Sequence, residues 1–307
     1  MSILNLQAGQ TAVITGAGSG FGLELARLGA GKGLNLVITD VQQDALDAAK
    51  AELTGLGAKV VALRGDVSRA ADIEALAAAC LENFGAPNLV INNAGVAHGG
   101  LIWEHTVRDW EWVLGVNLWG VIHGVRVFTP LMLEAARKDP AWQGHIVNVA
   151  SMAGLLNSPN MGAYNVSKHA VVSLTETLYQ DLALVTDQVH ASVLCPYFVP
   201  TGIHQSHRNR PAELRSEGKP TPSQMIAQAM SSKAVTSGRV SASDVAQLVF
   251  NAVTQNQFYI YSHPQALGMV QTRLEDVVQT RNPTDPFAGK PELGESLRKS
   301  LREAMGG

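Results

Sequence analysis

Short runs of apolar residues alternate along this chain with longer stretches of helical periodicity, and this alternation restricts the fold more than any other feature. The short runs have the length of strands, and several are rich in Val and Ile, as strands buried on both faces are. These runs lie at 12–15, 34–39, 59–63, 88–91, 145–149, 191–194 and 258–261. The helical stretches between them lie at 20–31, 42–53, 70–84, 106–138, 164–186 and 243–255.

Repeated strand-then-helix units form a parallel sheet with helices on both faces, because each crossover is right-handed. We therefore predict an α/β fold, a single doubly wound Rossmann-type domain with about seven parallel strands. No linker interrupts the alternation in the first 200 residues, so one domain covering 1–262 is predicted. Residues 263–307 are predicted to be a C-terminal extension with a last helix near 295–305, and not a separate domain.

One long insertion departs from the alternation, at residues 200–240, called the lid below. It contains Pro200, Pro211, Pro220 and Pro222, and it is too long for an ordinary connection between two core elements. Within it, Met225, Ile226, Ala229 and Met230 recur at helical spacing. We predict that this segment orders over substrate and excludes water; simple packing of these apolar side chains within the lid is the alternative.

Composition excludes several classes of protein. The 307 residues include 23 Lys and Arg against 26 Asp and Glu, a net charge of −3, which argues against binding nucleic acid or an anionic membrane surface. No run approaches the roughly 18 apolar residues of a membrane span, and the first ten residues do not resemble a signal peptide. Two cysteines, Cys80 and Cys195, suit a reducing compartment, so a cytoplasmic protein is predicted.

A metal site is the less favoured interpretation of three other residues. His204 and His207 have H-x-x-H spacing, and Cys195 precedes them. Zinc would need a further ligand and a firm framework, which the lid sequence does not supply. No metal is therefore predicted.

A glycine-rich loop follows the first predicted strand and opens the first predicted helix. Its residues include Gly16, Ser19, Gly20, Phe21 and Gly22. Glycines allow a tight turn and a close approach of backbone N–H groups to a pyrophosphate, and the helix N-terminus adds its positive dipole. In this position the loop predicts dinucleotide binding, whereas elsewhere it would be an ordinary turn.

Asp40 ends the second predicted strand, about 20 residues beyond the loop, where an acid accepts hydrogen bonds from the ribose hydroxyls. Its carboxylate would repel a 2′-phosphate, and the following Val41, Gln42 and Gln43 are not basic. NAD is therefore the predicted cofactor and NADP the less favoured one. Asp40 is also a candidate N-cap for the helix that follows.

Tyr164 and Lys168 stand four residues apart at the start of a predicted helix, so they share one face. A nearby ammonium lowers the pKa of a phenol from about 10 toward neutrality, so that the tyrosine can exchange a proton with an alcohol. Ser151 follows the strand at 145–149, where its hydroxyl can hydrogen-bond a substrate oxygen. By itself a Tyr-x-x-x-Lys pair is more often surface chemistry than catalysis.

From about residue 6 to 261 the chain resembles the short-chain dehydrogenase/reductase family, in the branch with Thr-Gly-x-x-x-Gly-x-Gly and Tyr-x-x-x-Lys. The matching residues occur in family order and spacing: 15–22, 66–67, 92–95, 116–118, Ser151, Tyr164 and Lys168. The resemblance implies a catalytic tetrad of Asn117, Ser151, Tyr164 and Lys168, in which Asn117 holds a water that links Lys168 to solvent. For Asn92 and Asn93 the alternative is a role in tying strands together, and for Asn117 it is bending the helix.

The resemblance also implies further cofactor contacts. They are Asp66 and Val67 at the adenine, Asn93, Ala94 and Gly95 near the ribose and sheet centre, Tyr164 and Lys168, and Pro196 and Thr201 on the nicotinamide side. The chain departs from the family at Pro196-Tyr197, where a glycine usually follows the proline. Tyr197 is expected either to narrow the pocket with its ring or to pack beneath the lid.

Together these features predict an NAD(H)-dependent oxidoreductase that interconverts a secondary alcohol and a ketone. The lid and residues 258–264 resemble the Cα-dehydrogenases of lignin-type aryl alcohols, which implies a bulky apolar or aromatic small-molecule substrate. The alternatives are a reductase of steroid or polyketide-like ketones and a non-catalytic cofactor-binding protein. The family also implies a homo-oligomer, a tetramer or a dimer, formed through the helices in 106–138 and 164–186.

Overall fold

The computed structural model describes residues 4–215 and 218–306, which alternate between strands and helices as predicted. The strands are β1 (Thr11–Thr15), β2 (Asn35–Asp40), β3 (Val60–Arg64), β4 (Leu89–Asn92), β5 (Gly144–Val149), β6 (Val189–Cys195) and β7 (Tyr259–Tyr261). The helices are α1 (Gly20–Gly31), α2 (Gln43–Gly55), α3 (Ala70–Phe84), α4 (Val107–Leu114), α5 (Gly120–Lys138), α6 (Gly162–Val185), α7 (Pro222–Thr236), α8 (Ala242–Gln255), α9 (Leu267–Val278) and α10 (Pro291–Ala304).

The strands pair in parallel in the order β3-β2-β1-β4-β5-β6-β7, which confirms the predicted Rossmann-type fold with a seven-stranded sheet. The chain starts at the centre, builds outward to β3 and then returns to place β4 beside β1. Ligands of doubly wound sheets bind where this reversal occurs, at the carboxyl ends of the strands. The edge between β1 and β4 is therefore where the site is expected.

Consecutive strand residues serve opposite faces of the sheet, because side chains alternate along a strand. In β1, Ile14 packs into a core that also contains Leu25 of α1 and Phe250 of α8. Its neighbour Val13 packs on the other face with Phe128 of α5. Helices thus cover both faces, which explains why the strands consist of nearly continuous apolar residues.

The predicted helix at 106–138 is divided into three parts. Thr106 caps α4 with a reciprocal capping box to Asp109, and a π-helical turn, Gly115–Trp119, separates α4 from α5. The turn contains Asn117, and the alternative that this residue bends its helix stays a prediction. The sequence pattern also missed α9, which follows the last strand.

The same stretch, Val107–Lys138, is long and apolar enough to cross a membrane when judged by length and composition alone. In the fold its α5 portion packs against the sheet through Phe128 and Met132, both fully buried. This position accounts for its apolar character as that of a helix covering a core.

The lid contains short 3₁₀ turns at Gly202–Asn209 and Ala212–Leu214 before α7 begins. The final helix, α10, starts four residues earlier than the sequence indicated and packs against α7. The extension therefore contacts the lid. The division between a domain at 1–262 and an extension stays a prediction.

Candidate active site

The glycine loop turns tightly between β1 and α1. Gly16 and Gly20 have φ of +66° and +55°, a region that other residues rarely adopt. A Cβ on Gly22 would lie 2.1 Å from the carbonyl oxygen of Gly16, so any side chain there would disrupt the turn. Ser19 is the N-cap of α1 in extended conformation, and Phe21 packs partly buried on the core. The loop thus presents the N-terminus of α1 at the edge of the sheet.

Asp40 ends β2 with its carboxylate against this loop. Its Oδ2 accepts a hydrogen bond from the backbone N–H of Gly18 at 2.9 Å, and its Oδ1 accepts one from the N–H of Gln42 at 3.0 Å. The N-cap residue of α2 is Gln42, not Asp40. Asp40 therefore stabilises the turn after β2 and also lies in the cleft beside the glycine loop.

A cleft runs from the glycine loop along the carboxyl ends of β1, β2, β3 and β4. The predicted cofactor residues that line it are Gly16, Asp40, Asp66, Val67, Ala94 and Gly95. Asp66 is fixed by the N–H and hydroxyl of Ser68, which donate to its Oδ1 at 2.9 and 2.7 Å. These residues, predicted from separate motifs, form one continuous groove suited to an adenosine and pyrophosphate.

The end of β4 is tied to β1 through Thr15, the first residue of the glycine-loop motif, for which the sequence predicted no role. Its Oγ1 accepts hydrogen bonds from the N–H groups of Asn93 and Ala94, and the amide of Asn93 donates to the Thr15 carbonyl at 2.8 Å. Asn92 donates to the side chain of Asn148 on β5 at 2.8 Å. Both asparagines therefore tie strands together, as the structural alternative expected.

Ser151 follows β5 and caps the short turn Met152–Gly154. Its Oγ accepts from the N–H of Ala153 at 3.1 Å and donates to the Pro196 carbonyl at 3.4 Å, across from β5 to the end of β6. Ser151 therefore lies just past the end of β5, as the sequence predicted. The two hydrogen bonds hold its hydroxyl near the end of the cleft.

Tyr164 and Lys168 lie on one face of α6, with the Lys168 Nζ 5.8 Å from the centre of the tyrosine ring. Burial raises the pKa of Tyr164, and its hydrogen bond with Ser151 acts in the opposite direction. This differs from the expectation that Lys168 dominates the tyrosine pKa. Burial also lowers the pKa of Lys168, to about 8, so its amine is still largely protonated at neutral pH.

The Lys168 side chain is almost fully buried, and its Nζ donates to the carbonyl of Val149, the last residue of β5, at 2.9 Å. This bond aims the amine at the same strand end that carries Ser151. A Cβ on Gly95 would lie 3.6 Å from the Lys168 Nζ and 3.5 Å from Asn117 Oδ1, so the lysine reaches the floor of the cofactor cleft.

Asn117 lies in the π-helical turn and is completely buried. Its amide is engaged with the backbone of Val96, accepting from the N–H at 2.8 Å and donating to the carbonyl at 2.9 Å. It also donates to Ser167 Oγ at 3.0 Å, and Ser167 was not predicted. The side chain thus holds the turn after β4, and its part in a water relay stays a prediction.

The end of β6 differs from the family pattern at Tyr197. Its ring packs against Phe198 and His263, with ring centres 4.3 and 5.8 Å apart, and it is 37% exposed. These contacts place the ring beside the segment after β7, and whether it also narrows the substrate pocket or packs beneath the lid stays a prediction. Thr201 lies against the glycine loop, 3.4 Å from a Cβ on Gly20.

Comparisons with known proteins agree with this geometry. The family model for short chain dehydrogenases matches residues 10–212. A dehydrogenase/reductase of CLA biosynthesis from Lactiplantibacillus plantarum is 34% identical over 86% of this chain and 92% of its own. A C alpha-dehydrogenase from a Sphingobium strain is 32% identical over 92% and 91% of the two chains. A short chain dehydrogenase/reductase from Burkholderia phymatum, solved in complex with NAD, superposes with a TM-score of 0.89 at 52% identity, over 92% of this chain and 99% of that one.

The chain belongs to the short-chain dehydrogenase/reductase family. The prediction of family, of fold and of an oxidoreductase is confirmed. The nicotinamide class of cofactor follows from the same membership.

Proposed function

We propose that this protein is an NAD(H)-dependent oxidoreductase that interconverts a secondary alcohol and a ketone. The observation that carries the proposal is the convergence of Ser151, Tyr164 and Lys168 at the end of β5, beside a groove with an acid at the end of β2. Neither the groove nor the three side chains alone define a dehydrogenase. Together they would place a bound cofactor next to the hydroxyl groups of Ser151 and Tyr164.

NAD fits the groove better than NADP. The carboxylate of Asp40 lies 2.9 Å from the Gly18 N–H, within the cleft where the adenosine ribose would lie. A 2′-phosphate there would face a like charge, whereas ribose hydroxyls can donate to the carboxylate. The similar protein from Burkholderia phymatum, whose structure contains NAD, supports the same assignment.

The chain's own residues supply binding and proton transfer. Tyr164 donates or accepts the proton of the substrate oxygen, and Ser151 hydrogen-bonds that oxygen and holds it beside the phenol. Lys168 balances the charge that forms on Tyr164 and holds the ribose on the nicotinamide side of the cleft. When bound, the nicotinamide accepts or returns the hydride.

The proposed substrate is bulky and apolar or aromatic. The similarity to a C alpha-dehydrogenase over 92% of the chain supports it, as does the long lid. The proposal also includes a homo-oligomer, a tetramer or a dimer, in the cytoplasm. Trp103, Val107 and Trp119 are 70%, 73% and 51% exposed on and beside α4 and α5, where a partner subunit would cover them.

A spectrophotometric screen tests the function. The purified protein is given NAD with a panel of secondary alcohols that ranges from small aliphatic to aryl compounds, and NADH with the matching ketones. We expect absorbance at the NADH wavelength to change with aryl or bulky alicyclic members and more slowly with small ones. Turnover with none of the panel, by a protein that binds NAD, would support the non-catalytic alternative.

Cofactor preference should depend on Asp40. We expect NAD to exceed NADP in kcat/KM, and Asp40→Ala to narrow that ratio by at least about tenfold because the like charge is removed. Asp44→Ala is the matched control, since Asp44 is an exposed acid in the first turn of α2. Equal kcat/KM for both cofactors in the unmodified protein would contradict the assignment.

A further inference from the structure

The first half of the lid lies on the cofactor cleft and not only near substrate. Asn209, Pro211 and Leu214 line the cleft together with Asp66 and Val67, which lie in the turn after β3. Leu214 also packs against the small apolar cluster around Trp112 of α4. The lid segment 209–214 therefore crosses the adenine half of the cleft.

A buried ion pair fastens this segment to the body of the protein. Arg210 Nη1 donates to Asp109 Oδ1 on α4 at 2.6 Å, with the two side chains 9% and 0% exposed. Arg210 Nε donates to the Leu214 carbonyl at 2.7 Å, which closes the segment on itself, and the guanidinium lies 5.1 Å from the centre of the Trp112 ring. The arginine thus joins α4 to both ends of the segment.

The Asp109 carboxylate is built to stay charged. Burial raises its pKa, but hydrogen bonds from His98, Thr106 and Arg210 outweigh that effect and hold the pKa far below the usual range. A buried carboxylate of this kind needs its cation, because a buried charge left without its partner strongly destabilises the fold. The pair therefore remains closed across the neutral pH range.

The same carboxylate belongs to a group that resembles a metal site. His98, His105 and Asp109 have possible metal-ligand atoms within 4.8 Å of one another. Among the described residues this cluster differs from the one that the sequence suggested, His204, His207 and Cys195. The Arg210 guanidinium, however, already contacts the shared oxygen at 2.6 Å. A second cation beside it would be repelled, so the group serves the ion pair.

We propose that Arg210 is a positioning residue for the cofactor: its ion pair with Asp109 holds the lid segment 209–214 over the adenine half of the cleft and slows release of NAD. The proposal rests on the function proposed above, since it takes NAD as the ligand. It assigns to the lid a role in holding the cofactor, in addition to the predicted cover over substrate.

The test is a comparison of binding rates and affinities in Arg210→Met, which keeps the side-chain stem on Trp112 but removes the charge. We expect NAD and ADP-ribose to bind about tenfold more weakly, within the usual range of coupling between a clamp and its ligand. The loss of affinity should result from faster dissociation of the ligand, which stopped-flow kinetics measures. The affinity for ADP-ribose should fall as much as the affinity for NAD, because the lid segment covers the adenine half of the cleft, which binds the part that the two ligands share. At saturating NAD, kcat should change less than KM for NAD.

Two further variants separate this role from general damage. Arg208→Met is the matched control, since Arg208 is exposed and donates to Gln205 within the lid itself; it should leave NAD affinity unchanged. The pair Arg210→Met with Asp109→Asn removes both buried charges and should show the same loss of affinity as Arg210→Met alone. Recovery of affinity in that pair would overturn the proposal, because the loss would then come from the unpaired carboxylate.

The outcomes also distinguish this proposal from the proposed function. If the unmodified protein binds NAD and turns over alcohols while Arg210→Met binds both ligands with unchanged Kd and dissociation rate, the role of Arg210 is wrong and the function stands. If the unmodified protein binds neither NAD nor ADP-ribose, the function itself fails.

Discussion

Tyr164→Phe is expected to lower kcat by about 10²–10⁴-fold, the usual contribution of general acid–base catalysis. The substitution removes the hydroxyl that exchanges the proton of the substrate oxygen, while the ring and its packing on α6 remain. NAD binding should be nearly unchanged, because the Gly16–Gly22 loop and Asp40 are untouched. The measurement is kcat for a substrate identified in the screen, beside a titration with NAD.

Tyr179→Phe is the control for this experiment. Tyr179 lies on the same helix, half-buried, with its ring 4.9 Å from the ring of Phe258. Its hydroxyl lies outside the candidate site, so kcat should stay close to the unmodified value. If Tyr164→Phe keeps more than about a tenth of kcat, the assigned proton-transfer role is wrong.

Lys168→Met is expected to abolish turnover and also to weaken NAD binding, because the ammonium lies 5.8 Å from the centre of the phenol ring and is proposed to hold the ribose. Any remaining activity should have its pH optimum at higher pH, since Tyr164 then lacks a nearby positive charge that favours its ionised form. A pH–rate profile and an NAD titration measure the two effects. Lys50→Met, at an exposed position of α2, should change neither. Unchanged NAD affinity in Lys168→Met would exclude the ribose contact.

The same variant should not lose stability, which separates a functional lysine from a structural one. Burial lowers the pKa of Lys168 from 10.5 to about 8, so the cost of burying the ammonium is fully present below pH 8. Between about pH 8 and 10.5 the folded protein has released a proton that the unfolded chain keeps, and stability therefore rises with pH. Methionine removes this cost, so the melting temperature at pH 7 should equal or exceed that of the unmodified protein. A fall of several degrees would assign the lysine a structural role instead.

The alternation of apolar runs and helical stretches was enough to predict the seven parallel strands, because both patterns follow from local chain geometry. The motif residues could also be recognised from the sequence. A tight turn that needs glycines, or two side chains on one helix face, depends only on residues within a few positions of each other. Asp40, Ser151, Tyr164 and Lys168 all lie where the sequence placed them, at or just past strand ends or in the first two turns of α6.

Other features depend on residues that are distant along the chain. Thr15 accepts from Asn93, Asn117 holds Val96, and Arg210 meets Asp109 about 100 positions away. No periodicity links such partners, so only the packed structure could reveal them. The tyrosine pKa is a further example, because burial depends on the whole fold, whereas a Tyr-x-x-x-Lys spacing shows the nearby charge alone.

The sequence by itself therefore determined the fold class, the family, and the residues that line the ends of the strands. The tertiary structure decided how those residues are held: the division of the predicted helix at 106–138 around Asn117, the carbonyl that aims Lys168, and the position of the lid segment 209–214 on the cofactor cleft. The physical reason is that secondary structure and tight turns arise from interactions between near neighbours. Burial and ion pairing instead depend on which distant segments the sheet brings together.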